Sequence, residues 1–121
     1  MANVRYMVND VEQAVAFYTT HLGFVVEERW GPALAIVGKD DLHLWLAGPN
    51  TSAARPMPDG RKPEPGGWNR IVIAVDDLQA VVAQIKNAGV TFRNEIVSGP
   101  GGSQILADDP SGNPIELFQP A

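Results

Sequence analysis

Two stretches of this chain, 67 residues apart, carry the same structural signals in the same order. Val8 matches Val75, Asp10 matches Asp77, and Gly23 falls close to Gly89 under that offset. Each Asp can cap a helix, because its carboxylate accepts from the free N–H groups of the first turn. Each Gly can end one by taking the left-handed conformation. A chain with this period is constrained to build one supersecondary unit twice.

The first copy reads as a strand over residues 3–8, a helix over Val11–His21, and strands over 24–30, 34–37 and 42–46. The second reads as a strand over 69–75, a helix over Leu78–Ala88, and strands over 90–97, 103–107 and 115–118. The turn before the last strand, residues 108–113, has a mechanism: Pro110 presets φ and Gly112 can take φ > 0. The expected class is α+β, with two βαβββ repeats forming curved mixed sheets around a concave cavity. One domain over 1–121 is expected, made of repeat 1 (1–49), a proline-rich linker (50–67) and repeat 2 (68–121). Residues 47–67 hold five of the ten prolines and Arg55, Arg61 and Lys62. This stretch reads as a solvated linker, with a lid over a site as the alternative.

Alternation along the strands sorts the side chains into two faces. Val4, Tyr6 and Val8 share one face with Leu42, Leu44 and Leu46 in repeat 1; Ile71, Ile73, Val75, Ile115 and Leu117 do so in repeat 2. Apart from the Tyr6 hydroxyl that face is apolar, and it has to cover the repeat's own helix. The opposite face collects Asn3, Arg5, Met7, His43 and Trp45, then Arg70, Val72, Glu116 and Phe118. Full exposure would leave Trp45, Phe118, Met7 and Val72 bare together, while full burial would strand two arginines, a histidine and a glutamate. A partly wet ligand site satisfies both constraints. These nine residues are the expected ligand-binding set.

Composition narrows the chemistry. Without cysteine, thiolate catalysis, disulfides and Cys-ligated zinc are excluded. A net charge of −5 argues against nucleic-acid partners or an anionic membrane surface. No apolar run approaches a membrane span and no secretory h-region opens the chain, so a cytoplasmic location is expected.

Three segments carry a family resemblance: residues 8–24 (Val-Asn-Asp-Val…Ala-Phe-Tyr-Thr-Thr-His-Leu-Gly-Phe), residues 75–78 (Val-Asp-Asp-Leu) and residues 109–117 (Asp-Pro-Ser-Gly-Asn-Pro-Ile-Glu-Leu). With the βαβββ repeat, the chain resembles the vicinal-oxygen-chelate superfamily of glyoxalase I, extradiol dioxygenases, fosfomycin-resistance enzymes and bleomycin-resistance binding proteins. The resemblance implies two half-barrel units, often completed by a second chain, and hence a homodimer. It also implies where metal-dependent members hold their ligands. The first-strand ligand lies seven residues before the capping Asp, which lands on Asn3 and Arg70 here. The last-strand ligands land on His43 and Glu116. A guanidinium has no lone pair to give, so Arg70 repels a divalent cation and is expected to pair with Glu116 instead. No metal and no other cofactor is expected.

Three functions remain in view. The first is a metal-independent small-molecule binder that sequesters an aromatic natural product or antibiotic and so confers resistance. The second is a metal-free lyase or isomerase with His43, Arg70 and Glu116 as catalytic candidates, His43 as general base and Arg70 stabilising an oxyanion. The third is a metal-dependent glyoxalase or dioxygenase. It requires a different register at Asn3 or Arg70, and a slip of one residue would present Val4 or Ile71. The structural alternatives are a hydrogen-bonded His43 with no catalytic role and an Arg70–Glu116 pair that only holds strands together.

Overall fold

The computed structural model describes residues 2–121, and its chain divides into two compact units, 1–66 and 67–121. In the first unit, β1 (Ala2–Met7), β2 (Val25–Trp30), β3 (Leu34–Lys39) and β4 (Leu42–Ala47) form one open sheet in the order β1-β4-β3-β2. β1 runs parallel to β4, and the remaining pairs are antiparallel. The crossover between β1 and β2 is α1 (Val11–Leu22). Asp10 caps it, accepting from the Gln13 N–H at 3.0 Å, and Gly23 ends it at φ 76°. Helical spacing puts Val11, Ala14, Val15, Tyr18 and Leu22 on the buried side, against Tyr6, Val37, Leu44 and Leu46. Tyr18 packs edge-on against Phe24 at 5.5 Å, and an Arg29–Glu12 ion pair ties β2 back to the helix.

Several boundaries shift from expectation. β3 runs on to Lys39, and the turn into β4 is Asp40-Asp41, with Asp40 at φ 52°, a conformation Asp tolerates better than most residues. The proline-rich stretch packs with the first unit rather than lying free between the two. It contains a short 3-10 turn (Ser52–Ala54) and a tight turn in which the Met57 N–H donates to the Arg61 carbonyl at 2.7 Å.

The second unit repeats the topology. β5 (Ile71–Ala74), β6 (Val97–Gly99), β7 (Gly102–Asp108) and β8 (Pro114–Pro120) take the order β5-β8-β7-β6, with α2 (Leu78–Asn87) after β5. Asp77 caps α2 through the Ala80 N–H at 3.1 Å, and the Leu78 N–H donates to Gln119 Oε1 at 2.7 Å, fastening the helix start to β8.

The strand expected over 90–97 is corrected here: only Val97–Gly99 is regular, and Phe92 makes a single bridge to Ala107. The reason lies in Asn94. Its Oδ1 takes the Leu106 N–H at 2.9 Å, so a side chain replaces a backbone carbonyl and the ladder breaks. The first strand is also shorter than expected, because residues 69–70 precede the ladder. Among the described residues no helix is long and apolar enough to cross a membrane.

Both caps are local and exposed. Asp10→Ala and Asp77→Ala are each expected to lower stability by about 1 kcal/mol, read as a fall in the urea midpoint at constant slope.

Candidate functional site

In the first unit the pairing register sets the site residues side by side. Asn3 lies opposite His43, and Arg5 lies opposite Trp45, which in turn pairs with Ile36 on β3. Asn3 and Arg5 are exposed, while Met7, His43 and Trp45 are half-buried. The Arg5 guanidinium sits 5.0 Å from the Trp45 ring centroid, a cation–π contact that holds both side chains over the sheet. One residue joins this group from outside the expected set. The ladder between β2 and β3 slips between Val26 and Glu28, and the extra residue is Glu27. Its Oε1 lies 3.4 Å from His43 Nε2. A bulge is a common device for re-aiming a side chain. Here it brings a carboxylate to the one histidine on the face.

In the second unit Val72 lies opposite Glu116, and Ala74 opposite Phe118. Val72 is exposed and Phe118 half-buried, whereas Glu116 is buried. The expected ion pair is present. Arg70 Nε and Nη2 both donate to Glu116 Oε1, at 3.0 and 2.8 Å. The Glu116 side chain is 12% exposed and that of Arg70 28%, so the pair is sheltered but not sealed. Glu116 Oε2 accepts nothing from the described residues and is open to a donor from solvent or ligand.

A second arginine stands beside it. Arg93 donates to Asp108 Oδ1 at 2.7 Å, to the Gly67 carbonyl at 2.7 Å and to the Gly112 carbonyl at 2.9 Å. Its guanidinium also lies 4.6 Å from the Trp68 ring centroid. Arg93 thereby clamps the residues before β5 to the turn before β8, and the Trp68 carbonyl accepts from Arg70 Nη1 at 3.3 Å. The turn is held from within as well. Asp109 is buried, and its Oδ1 accepts the backbone N–H of Ser111 and of Asn113, at 2.8 and 2.9 Å. With Gly112 at φ 83°, the chain reverses and delivers Glu116 to the site face.

The metal-dependent relatives implied by the sequence need about three protein donors around the ion. At the positions in question this chain has an amide, an imidazole, a guanidinium and a carboxylate already engaged by that guanidinium. No group of three His, Cys, Asp or Glu side chains converges among the described residues. In the second unit the donors do not fit a metal ion, because Arg70 supplies a fixed positive charge and no lone pair.

Comparison with known proteins agrees with this architecture. The "Probable lactoylglutathione lyase, chloroplastic" of Arabidopsis thaliana is 27% identical over 98% of the chain, which spans only 35% of that protein. Among solved structures, TnmS3, an antibiotic binding protein from Streptomyces sp. CB03234, is 27% identical, with a TM-score of 0.74, covering 98% of this chain and 93% of that one. A superfamily member from Sphaerobacter thermophilus DSM 20745 is 26% identical, with a TM-score of 0.76, covering 98% and 95%. A family model matches residues 1–117, and the chain belongs to the Glyoxalase/Bleomycin resistance protein/Dioxygenase superfamily.

Proposed function

We propose that this protein binds a small aromatic molecule, a natural product or antibiotic, without a metal and without transforming it. The observation that carries the reading is the Arg70–Glu116 pair, which sets an organic cation where the resembling enzymes hold an inorganic one. Each unit's face suits a flat ligand. On the first, Trp45, braced by Arg5, offers a ring surface, with Asn3 and His43 as hydrogen-bonding edges and Met7 in the lining we assign. On the second, Phe118 offers the ring, Glu116 the polar edge and Val72 the lining. The similarity to an antibiotic binding protein supports the same reading. We further propose that the two units act as one domain and that the protein works as a homodimer in the cytoplasm.

A panel of aromatic antibiotics titrated by calorimetry tests the proposal. Binding by at least one compound is expected, and Trp45→Ala should weaken it by about tenfold, the loss of one aromatic contact with its buried area. A ligand that binds Trp45→Ala as tightly as the parent would remove the face from the site.

One observation favours a second reading. A carboxylate 3.4 Å from an imidazole nitrogen is the arrangement that orients a general base, and Glu27 and His43 have it. In that case the protein is a metal-free lyase or isomerase, with Arg70 and Glu116 as its further candidates. Turnover of a bound compound that vanishes in His43→Ala would replace the binding reading with this one.

A further inference from the structure

The proline-rich stretch is ordered, and it builds something. Where it packs at the end of β1 it encloses a surface pocket of about 340 Å³. Pro49, Pro56, Pro63 and Pro65 wall it, Met7 forms part of its lining, and Lys62 is its one charged side chain. This volume lies at the lower end of the range for small-molecule sites. Its walls are stiff, because each proline ring has a fixed φ and loses little freedom when a ligand arrives. Proline rings also present flat, apolar faces that suit an aromatic ring.

Two further observations connect the pocket to a ligand. Met7 belongs to both places: it lines the pocket and stands on β1 two residues from Arg5, whose guanidinium braces Trp45. Met7 is thus the residue that the pocket shares with the ligand face we assign to the first unit. The second observation is charge. Arg61, next in sequence, is occupied by Asp59 at 2.8 Å, whereas no ion pair engages Lys62 among the described residues. On a chain of net charge −5, an anion is held only where a local cation receives it.

We propose that this pocket is a specificity subsite for an acidic substituent on an aromatic ligand, a carboxylate, sulfonate or phenolate, with the prolines packing the ring and Lys62 receiving the charge. The proposal deepens the binding reading above and rests on it for the remainder of the ligand.

Two probes with one aromatic framework test it: 8-anilinonaphthalene-1-sulfonate and its uncharged counterpart, N-phenyl-1-naphthylamine. Both are titrated into the intact protein by fluorescence, and their positions are mapped from ¹⁵N amide shifts. Shifts at residues 7–9 and 54 are expected. Lys62→Met keeps the apolar stem and removes the charge, so it should weaken the sulfonate probe on the order of fivefold and leave the neutral probe unchanged. Four results would overturn the proposal: no effect of Lys62→Met, an equal effect on both probes, no binding of either, or shifts confined to the wider opening of about 610 Å³ lined by α2 and residues 90–96. Trp45→Ala is measured in parallel. Loss of sulfonate binding in Lys62→Met alone would retain the pocket and refute the sheet-face reading; loss in Trp45→Ala alone would do the reverse.

Discussion

Leu117→Ala is expected to destabilise the protein by about 3 kcal/mol, whereas Phe118→Ala, one residue further on, should cost about 1 kcal/mol. The contrast follows from the pleat. Leu117 is fully buried, paired with Ile73 on one side and Ile105 on the other, and truncation leaves a hole that this sheet face has no spare side chain to fill. Phe118 points the other way, half-buried between Ala74 and Gln104, where water can replace the lost ring. Ligand affinity should move in the opposite sense: Phe118→Ala weakens it and Leu117→Ala does not, so long as the measurement is made where both variants are folded. Equal stability losses in urea unfolding would mean that the two faces of β8 are equally buried.

Arg70→Met should cost about 2–3 kcal/mol, because it leaves the Glu116 carboxylate sheltered without its cation; the figure is below that of a sealed pair since the guanidinium meets solvent. The double variant Arg70→Met/Glu116→Leu should return to within about 1 kcal/mol of the parent, as apolar replacement of both partners removes the desolvation penalty along with the attraction. The cycle separates two roles. A pair kept for the fold gives recovery of stability and no change in ligand binding. A pair kept for the site gives the same recovery with binding lost. Single variants within a few tenths of a kcal/mol of the parent would show that solvent already screens the pair.

Much of this was readable in the chain because the relevant signals are local. The capping aspartates, the glycines that end the helices and the Asp109–Asn113 turn each act within five residues or so. They fix two βαβββ units, and strict alternation then assigns the faces of β1, β4, β5 and β8. Counting back from the caps puts Arg70 on the face that also carries Glu116, the residue it pairs with. The role of Glu27 is not legible in the sequence for a physical reason: Val-Val-Glu-Glu-Arg-Trp has no alternation, and a bulge is decided by pairing with β3 rather than by β2 itself. Arg93 is not legible either, because its four partners lie 15 to 26 residues away, at Gly67, Trp68, Asp108 and Gly112. The irregular stretch at 90–96 alternates Val90 and Phe92 with polar residues before Ile96 and so reads as a strand. Only the side-chain bond from Asn94 to β7 reveals why it is not one.

The slip at Glu27 also bears on what the free edge of this sheet can pair with. β2 is the outer strand of its sheet and every residue in it is exposed, including Val25 and Trp30. A straight edge of that kind recruits strands from other molecules. Here the edge is bent by an unpaired residue and carries Glu27, Glu28 and Arg29 in succession. Bent, charged edges resist continuous pairing, so the device that aims a carboxylate at His43 also keeps this strand from propagating a sheet across molecules. The open edge of this sheet is thus guarded by the same residue that faces the histidine.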